Sequence, residues 1–225
     1  TEPEEREHLC GHLDQLLGMA DSVEAVILTH SHPDHTGSAE FVRDYYNAPI
    51  WAHEATADQV DFPVDRQLTD GEMIDVAGDP PWRLRCLHTP GHDPGHLCLL
   101  EETTRTLLCG DMAANPGTIL ISPDYRGDMT AYLESLEKLL QQDFSFLIPA
   151  HGLPLGKQPG REKLEELLAH RREREATIRA GLEAGKTSLH DLLEHAYDDT
   201  PRESWPLAEH QLRAHLARLG VEVEA

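Results

Sequence analysis

The chain has 225 residues, enough for one large domain or a moderate domain with a small companion, and 39% are hydrophobic, enough for a core. Acidic residues outnumber basic ones 41 to 19, a formal net charge of −22 that disfavours a phosphate backbone as partner unless a local basic patch overrides the field. No apolar run nears the roughly 18 residues of a membrane span, no secretory leader is legible in Thr1–Glu7, and Cys10, Cys86, Cys98 and Cys109 form no C-x-x-C pair, which reads as buried reduced thiols in a cytoplasmic protein.

Glu4–Leu17 places Leu9, Leu13, Leu16 and Leu17 at helical spacing, closed by Gly18. Val23–Thr29 reads as a buried strand that delivers His30 at its end. Gly37–Tyr46 predicts a helix and Pro49–Ala52 a short strand. Trp82–Leu87, His96–Leu100 and Arg105–Cys109 are strand-like, and Thr130–Gln142 is an amphipathic helix with Leu133, Leu136, Leu139 and Leu140 on one face. Phe144–Pro149 is a strand leading to His151. After the Pro- and Gly-rich Pro154–Gly160 come a long charged helix, Arg161–Ala184, and two more helices, Ser188–Tyr197 and Leu207–Leu219, with Thr187 as N-cap and a strand start at Val221–Val223. Ligand-type residues recur at strand ends, which favours a layered α+β fold with its site along one sheet edge.

Four strand-end clusters carry the chemistry. Thr29-His30-Ser31-His32-Pro33-Asp34-His35 packs imidazoles and a carboxylate into one short segment, a donor set suited to zinc or a similar divalent ion. His30 and His32 point the same way in an extended segment, and Pro33 turns the chain before Asp34 and His35. Thr89-Pro90-Gly91-His92 puts His92 on a Pro-Gly turn, with His96 read as a core or supporting histidine and His88 as ambiguous. Gly110-Asp111 ends a third apolar run with a carboxylate able to bridge two metals, and Pro149-Ala150-His151-Gly152 ends the fourth. The total suits two metals better than one.

H-x-H-x-D-H, T-P-G-H, G-D and P-x-H-G in this order resemble the metallo-β-lactamase superfamily. The resemblance implies an αββα sandwich with two metals at one edge. His30, His32 and His92 would hold the first, and Asp34, His35 and His151 the second. Asp111 would bridge both, with Asp34 also orienting the nucleophile and accepting its proton. Asp124–Leu140, the Ile-Pro-Ala-His-Gly strand end and the C-terminal helices resemble the branch that includes the mitochondrial β-lactamase-like endoribonuclease, with its small winged-helix-like tail. The expected organisation is a catalytic domain at 1–168 and an all-α winged-helix-like domain at 169–225. Family members carry strands before the first helix, so the sandwich within this chain is expected to be incomplete and its apolar faces open near that helix.

The expected chemistry is hydrolysis by a hydroxide bridging two divalent ions, Zn2+ first, with Fe or Mn served by the same donors. The substrate reading is an ester, thioester or lactone of a small metabolite. The alternatives are a single-stranded RNA or DNA phosphodiester, an iron-dependent oxygenase on the same ligands, and a metal-stabilised scaffold without activity. Arg161, Arg171, Arg172, Arg174 and Arg179 on the long helix interleave with Glu162, Glu165, Glu166, Glu173 and Glu175, which reads as a salt-bridged face more than a phosphate track. Fold alone does not select the substrate, and β-lactams rank low.

Overall fold

The computed structural model describes residues 3–17 and 22–224, which form two compact units. The first comprises residues up to His88 together with Gly95–Thr103. It opens with α1 (Pro3–Leu17), followed by β1 (Val26–Ile27), α2 (Pro33–Thr36), α3 (Ala39–Tyr46), β2 (Ile50–His53), α4 (Glu54–Ala57) and β3 (Arg66–Leu68). The three strands form a parallel sheet in the order β1-β2-β3, with Val26 opposite Ile50 and Trp51 opposite Arg66. Leu28, Ala39, Ile50 and Ala52 make the core between this sheet and α3, with Val26, Phe62 and Val64 at its margin. The unit continues with β4 (Met73–Val76), β5 (Trp82–His88) and β6 (Leu97–Glu101), an antiparallel meander. All five side chains of β6 are buried, which is why that stretch reads as unbroken apolar sequence.

The strand expected over Val23–Thr29 is shorter than the apolar run: only Val26–Ile27 pairs as strand, though the Leu28 amide still donates to the Trp51 carbonyl at 2.9 Å. β3 and β4 were invisible as strands because both are short and carry polar residues on an open face. On the first helix Leu9 and Leu16 are 40% and 59% exposed. Leu13 and Val26 are half-buried. All four cysteines are free and buried, and no described helix is long and apolar enough to cross a membrane.

The second unit comprises Thr89–Pro94 and Thr104 onward. It contains β7 (Thr106–Asn115), α5 (Met129–Leu140), β8 (Phe146–Gly152), β9 (Leu155–Gly156), α6 (Lys157–Glu183), α7 (Leu189–Ala196) and α8 (Trp205–Leu219). β8 pairs parallel with β7 and antiparallel with β9. The Asp128 carboxylate caps α5 by accepting from the Thr130 and Ala131 amides.

The long helix starts four residues earlier than Arg161. Pro159 and Gly160 lie inside its first turn or just past it, where proline removes no intrahelical hydrogen bond. It runs unbroken through residue 168. Ser188, not Thr187, caps α7, accepting from the Asp191 amide at 3.1 Å. α8 likewise begins at Trp205, with Pro206 in its first turn. The tail core consists of Ile178, Leu189, Leu192, Leu193, Ala196, Tyr197, Ala208, Leu212 and Leu216, with Leu219 packed against it. The strand start expected at Val221–Val223 is reduced to one bridge, Ser188 to Glu224.

Candidate metal centre

In the first unit, the chain leaves β1 at Ile27 and bends at Thr29 and Ser31, departing from the extended segment expected from sequence, before it reaches His32, whose φ and ψ of −65° and 148° make it the N-cap of α2. Pro33 takes the first helical position, where its missing N–H costs nothing. The turn that follows is held by the Gly37 amide to the Pro33 carbonyl at 2.8 Å, and by the Thr36 hydroxyl to the His32 carbonyl at 3.1 Å. This strand-to-turn switch gathers the ligand-type side chains. His30 Nε2 lies 3.2 Å from His32 Nδ1, and His35 Nε2 lies 3.3 Å from Asp34 Oδ2. The rings of His30 and His35 are 4.0 Å apart. Thr29 Oγ1 sits 3.1 Å from His30 Nδ1 and occupies that nitrogen. His30 is fully buried, whereas the Asp34 side chain is 60% exposed.

His96 is also fully buried, 5.2 Å from the His30 ring, where the supporting role read from sequence puts it. His88 stacks on His53 at 4.0 Å instead. Gly95 is forced by packing: a Cβ there would lie 2.3 Å from the Thr56 hydroxyl and 2.5 Å from its amide.

In the second unit, Gly91 has φ of 132°, and a Cβ on it would sit 2.2 Å from the Tyr132 amide nitrogen. Glycine is therefore required for the His92 turn to lie against α5. The turn is tied down by the Asp128 amide to the Gly91 carbonyl at 2.8 Å and the Ser135 hydroxyl to the Pro90 carbonyl at 2.8 Å. His92 Nδ1 donates to the Leu120 carbonyl at 2.9 Å, which orients the ring and leaves Nε2 as a lone-pair donor.

Asp111 does not end its strand, as expected from sequence; β7 continues through it to Asn115. Register shifts between Leu108 and Gly110 and between Gly110 and Ala114 bulge the strand there, and Gly110 has φ of 49°. Bulges of this kind re-aim a side chain out of a ladder. Met112, the next residue, accepts the buried Tyr132 hydroxyl at 3.0 Å. His151 pairs with Ala114, and Gly152 is required because a Cβ would meet the Asn115 carbonyl oxygen at 1.9 Å. The result places His92 Nε2 3.5 Å from Asp111 Oδ2 and His151 Nε2 3.5 Å from Asp111 Oδ1.

These four separations share one meaning. Two ligands held at about 2.0–2.1 Å on a tetrahedral ion stand roughly 3.3–3.4 Å apart. His30 with His32, Asp34 with His35, His92 with Asp111 and His151 with Asp111 are each spaced as one edge of such a shell. The donors are imidazole nitrogens and carboxylate oxygens, the set that suits zinc and its neighbours. Each oxygen of Asp111 lies near a different histidine. The residues therefore fit divalent-metal binding. Sequence reading missed the Leu120 carbonyl, Tyr132 and Ser135, which position ligands from backbone or from a helix that looks like ordinary core. Asp93, 1% exposed beside His92 in the chain, also went unmarked.

A profile described as the metallo-beta-lactamase superfamily matches residues 1–151, running through parts of both units, and one described as the beta-lactamase associated winged helix domain matches residues 188–222. The atrochrysone carboxyl ACP thioesterase of Claviceps purpurea is 29% identical over 192 residues, covering 81% of this chain and 57% of that protein. The beta-lactamase-like protein 2 homolog of Drosophila melanogaster is 27% identical over 214 residues, covering 89% of this chain and 70% of that protein. The crystal structure of a metallo-beta-lactamase family protein from Thermus thermophilus superposes with a TM-score of 0.72 at 26% identity, covering 93% of this chain and 80% of that one. The chain spans about half the length of several curated relatives it matches.

Proposed function

The chain belongs to the metallo-β-lactamase superfamily, and from that premise we propose that it is a metal-dependent hydrolase acting on an ester or thioester, or a lactone, of a small metabolite. The observation that carries this reading is the spacing of the ligand-type atoms, each pair set as the edge of a tetrahedral shell. His30, His32 and His92 would hold one ion, Asp34, His35 and His151 the other, and Asp111 would bridge them. When bound, two divalent ions, zinc in the first instance, supply Lewis acidity and bring the pKa of a shared water toward neutrality.

The chain's own residues do the rest. The Leu120 carbonyl and Thr29 hydroxyl fix the rings of His92 and His30. Asp34, the more exposed of the two carboxylates, would accept the proton of the attacking water. Burial of His30 and His96 in the first unit, and of His92 and Asp111 in the second, keeps water from these groups and strengthens the charge interactions they make.

The substrate reading draws on the relatives named as acyl-carrier-protein thioesterases and on the fate of the α6 arginines. Arg161 donates to the Leu140 and Gln142 carbonyls, and Arg171 is buried. Arg172 pairs with Glu137, Arg174 with Asp199, and Arg179 with Glu175. Each of the five is engaged by a carbonyl or a carboxylate of the chain, so they do not form a row of uncompensated cations for a phosphate backbone. Residues 1–168 would form the catalytic part and 169–225 the helical part, with α6 common to both.

Metal analysis of the purified chain, with turnover of thioester, lactone and single-stranded RNA panels, tests this. We expect about two ions per chain, thioester or lactone turnover, and for Asp111→Ala a loss of both ions and about three orders of magnitude of rate. Retention of one ion at most by folded protein would overturn the dinuclear site; cleavage of RNA alone would overturn the substrate class.

A further inference from the structure

In the second unit the His92 turn anchors a small loop at both ends. His92 Nδ1 donates to the Leu120 carbonyl at 2.9 Å, and the Asp128 amide donates to the Gly91 carbonyl at 2.8 Å. The chain that leaves the turn after Leu120 thus comes back to it at Asp128. Between these two pins the Ser122 carbonyl accepts from the Tyr125 amide at 3.1 Å and from the Gly127 amide at 2.7 Å. A Cβ on Gly127 would stand 2.7 Å from the Ser122 amide nitrogen, so the loop closes this tightly only with glycine there. Residues 123–126 are left as its tip. Helix α8 lays His210 on that tip: its Nδ1 is 2.9 Å from the Ser122 hydroxyl and 3.2 Å from Asp124 Oδ2, and its ring is 5.9 Å from the ring of Tyr125.

The partners of His210 decide where its proton sits. A bare Nδ1 would set its lone pair against the Asp124 carboxylate, so Nδ1 carries the hydrogen and the neutral ring keeps its lone pair on Nε2. That Nε2 bonds to none of the described residues and is not among the nitrogens sealed from solvent, on a side chain that is 29% exposed. It is an oriented acceptor facing open space. Tyr125, 56% exposed, adds an aromatic ring to the same rim. Two residues, roughly 7 Å of extended chain, separate the carbonyl that holds His92 from the hydroxyl that holds His210. That interval is within the length of a small metabolite. Asp124 keeps the rim negative, which favours a hydrogen-bond donor over an anion. We propose that His210 selects substrate: its Nε2 accepts from a hydroxyl or amide that the substrate carries away from the scissile bond, with Tyr125 flanking the stem. The inference rests on the hydrolase reading above and adds to it the kind of substrate preferred, one bearing a polar donor group.

Steady-state kinetics of the metal-loaded full chain on three thioesters test this. Ethyl thiohexanoate carries no donor, the N-acetylcysteamine thioester of hexanoate carries an amide beyond the sulfur, and ethyl 6-hydroxythiohexanoate carries a hydroxyl on the acyl end. The readout is kcat/KM for each donor-bearing substrate divided by kcat/KM for ethyl thiohexanoate. His210→Phe keeps a flat ring and removes Nε2, and we expect it to lower one of these two ratios about fivefold or more. His210→Gln, whose side-chain carbonyl can stand where Nε2 stood, should restore most of that ratio. A fall in the amide ratio puts the donor on the leaving-group side, and a fall in the hydroxyl ratio puts it on the acyl side. An equal loss of turnover on all three substrates would reduce His210 to a prop for the loop and overturn the proposal, as would ratios that do not move in His210→Phe. Absence of turnover in the parent chain would overturn the hydrolase reading and this proposal together, whereas an active parent with unmoved ratios overturns this proposal alone.

Discussion

Two stretches of this chain are crowded with ionisable side chains, and they are assembled on opposite rules. Along α6 unlike meets unlike: Arg172 faces Glu137, Arg174 faces Asp199, Arg179 faces Glu175, and Arg161 caps the last carbonyls of α5. In residues 30–35, like meets like, with imidazole nitrogen 3.2 Å from imidazole nitrogen and histidine against a neighbouring carboxylate. The first pattern neutralises itself and needs nothing further. The second gathers lone pairs that a cation completes. Crowding of charge thus marks a site only when the crowd is one of donors to a missing centre.

The largest effect expected to break this contrast is at Gly91. Gly91→Ala drives a methyl group into the Tyr132 backbone, so the His92 turn must move. Metal affinity should fall at least about tenfold and thermal stability should drop with it. Unchanged metal content in the variant would mean that the turn does not set the ligand.

A smaller effect sharpens the other side. His215 is fully buried, and burial, helped by Arg171 and Arg218 and opposed by Glu175, lowers its pKa to about 4. The unfolded imidazole takes its proton near 6.5, so from there down to about 4 the unfolded chain binds a proton that the folded chain refuses. The contribution is fully present above pH 6.5 and is lost on acidification, on the order of 3 kcal/mol across that window. Denaturant unfolding at neutral and mildly acid pH should show this slope in the parent and a shallower one in His215→Leu. Equal slopes would remove His215 from the account.

The smallest effect is at Arg172, whose pair with Glu137 is exposed on both sides. Arg172→Ala should change stability by no more than about 0.5 kcal/mol and leave hydrolysis of small substrates unaltered. A large loss of activity would mean that α6 meets the substrate after all.

The candidate ligand set was legible because metal binding restricts the residue types and the candidates cluster in four short motifs: His30, His32, Asp34, His35, His92, Asp111 and His151 all stand out as donors, even though Asp111 lies inside β7 and not at its end. The tail core was legible for the same kind of reason, leucines at helical spacing closing on one another in Leu189, Leu192, Leu193, Leu212 and Leu216. What sequence hid was register and backbone. The bulges that present Asp111 depend on how β7 meets β8, which no local pattern encodes. The carbonyl of Leu120 is chemically the same as every other carbonyl. Arg171 looks like its neighbours on α6, and only the packing of α5 and α8 around it turns it inward.

The Leu120 carbonyl reaches further than its one hydrogen bond. A carbonyl can only accept, so His92 is restricted to the tautomer that carries its proton on Nδ1. The residue before it, Ile119, is gripped at its own carbonyl by Arg171 from α6 and Gln211 from α8. The helical tail is thus a splint for the protonation pattern of an imidazole. A cut at residue 168 would separate two stretches of sequence, yet it would free a peptide plane on the catalytic side, and with it the choice of which nitrogen on His92 bears the lone pair.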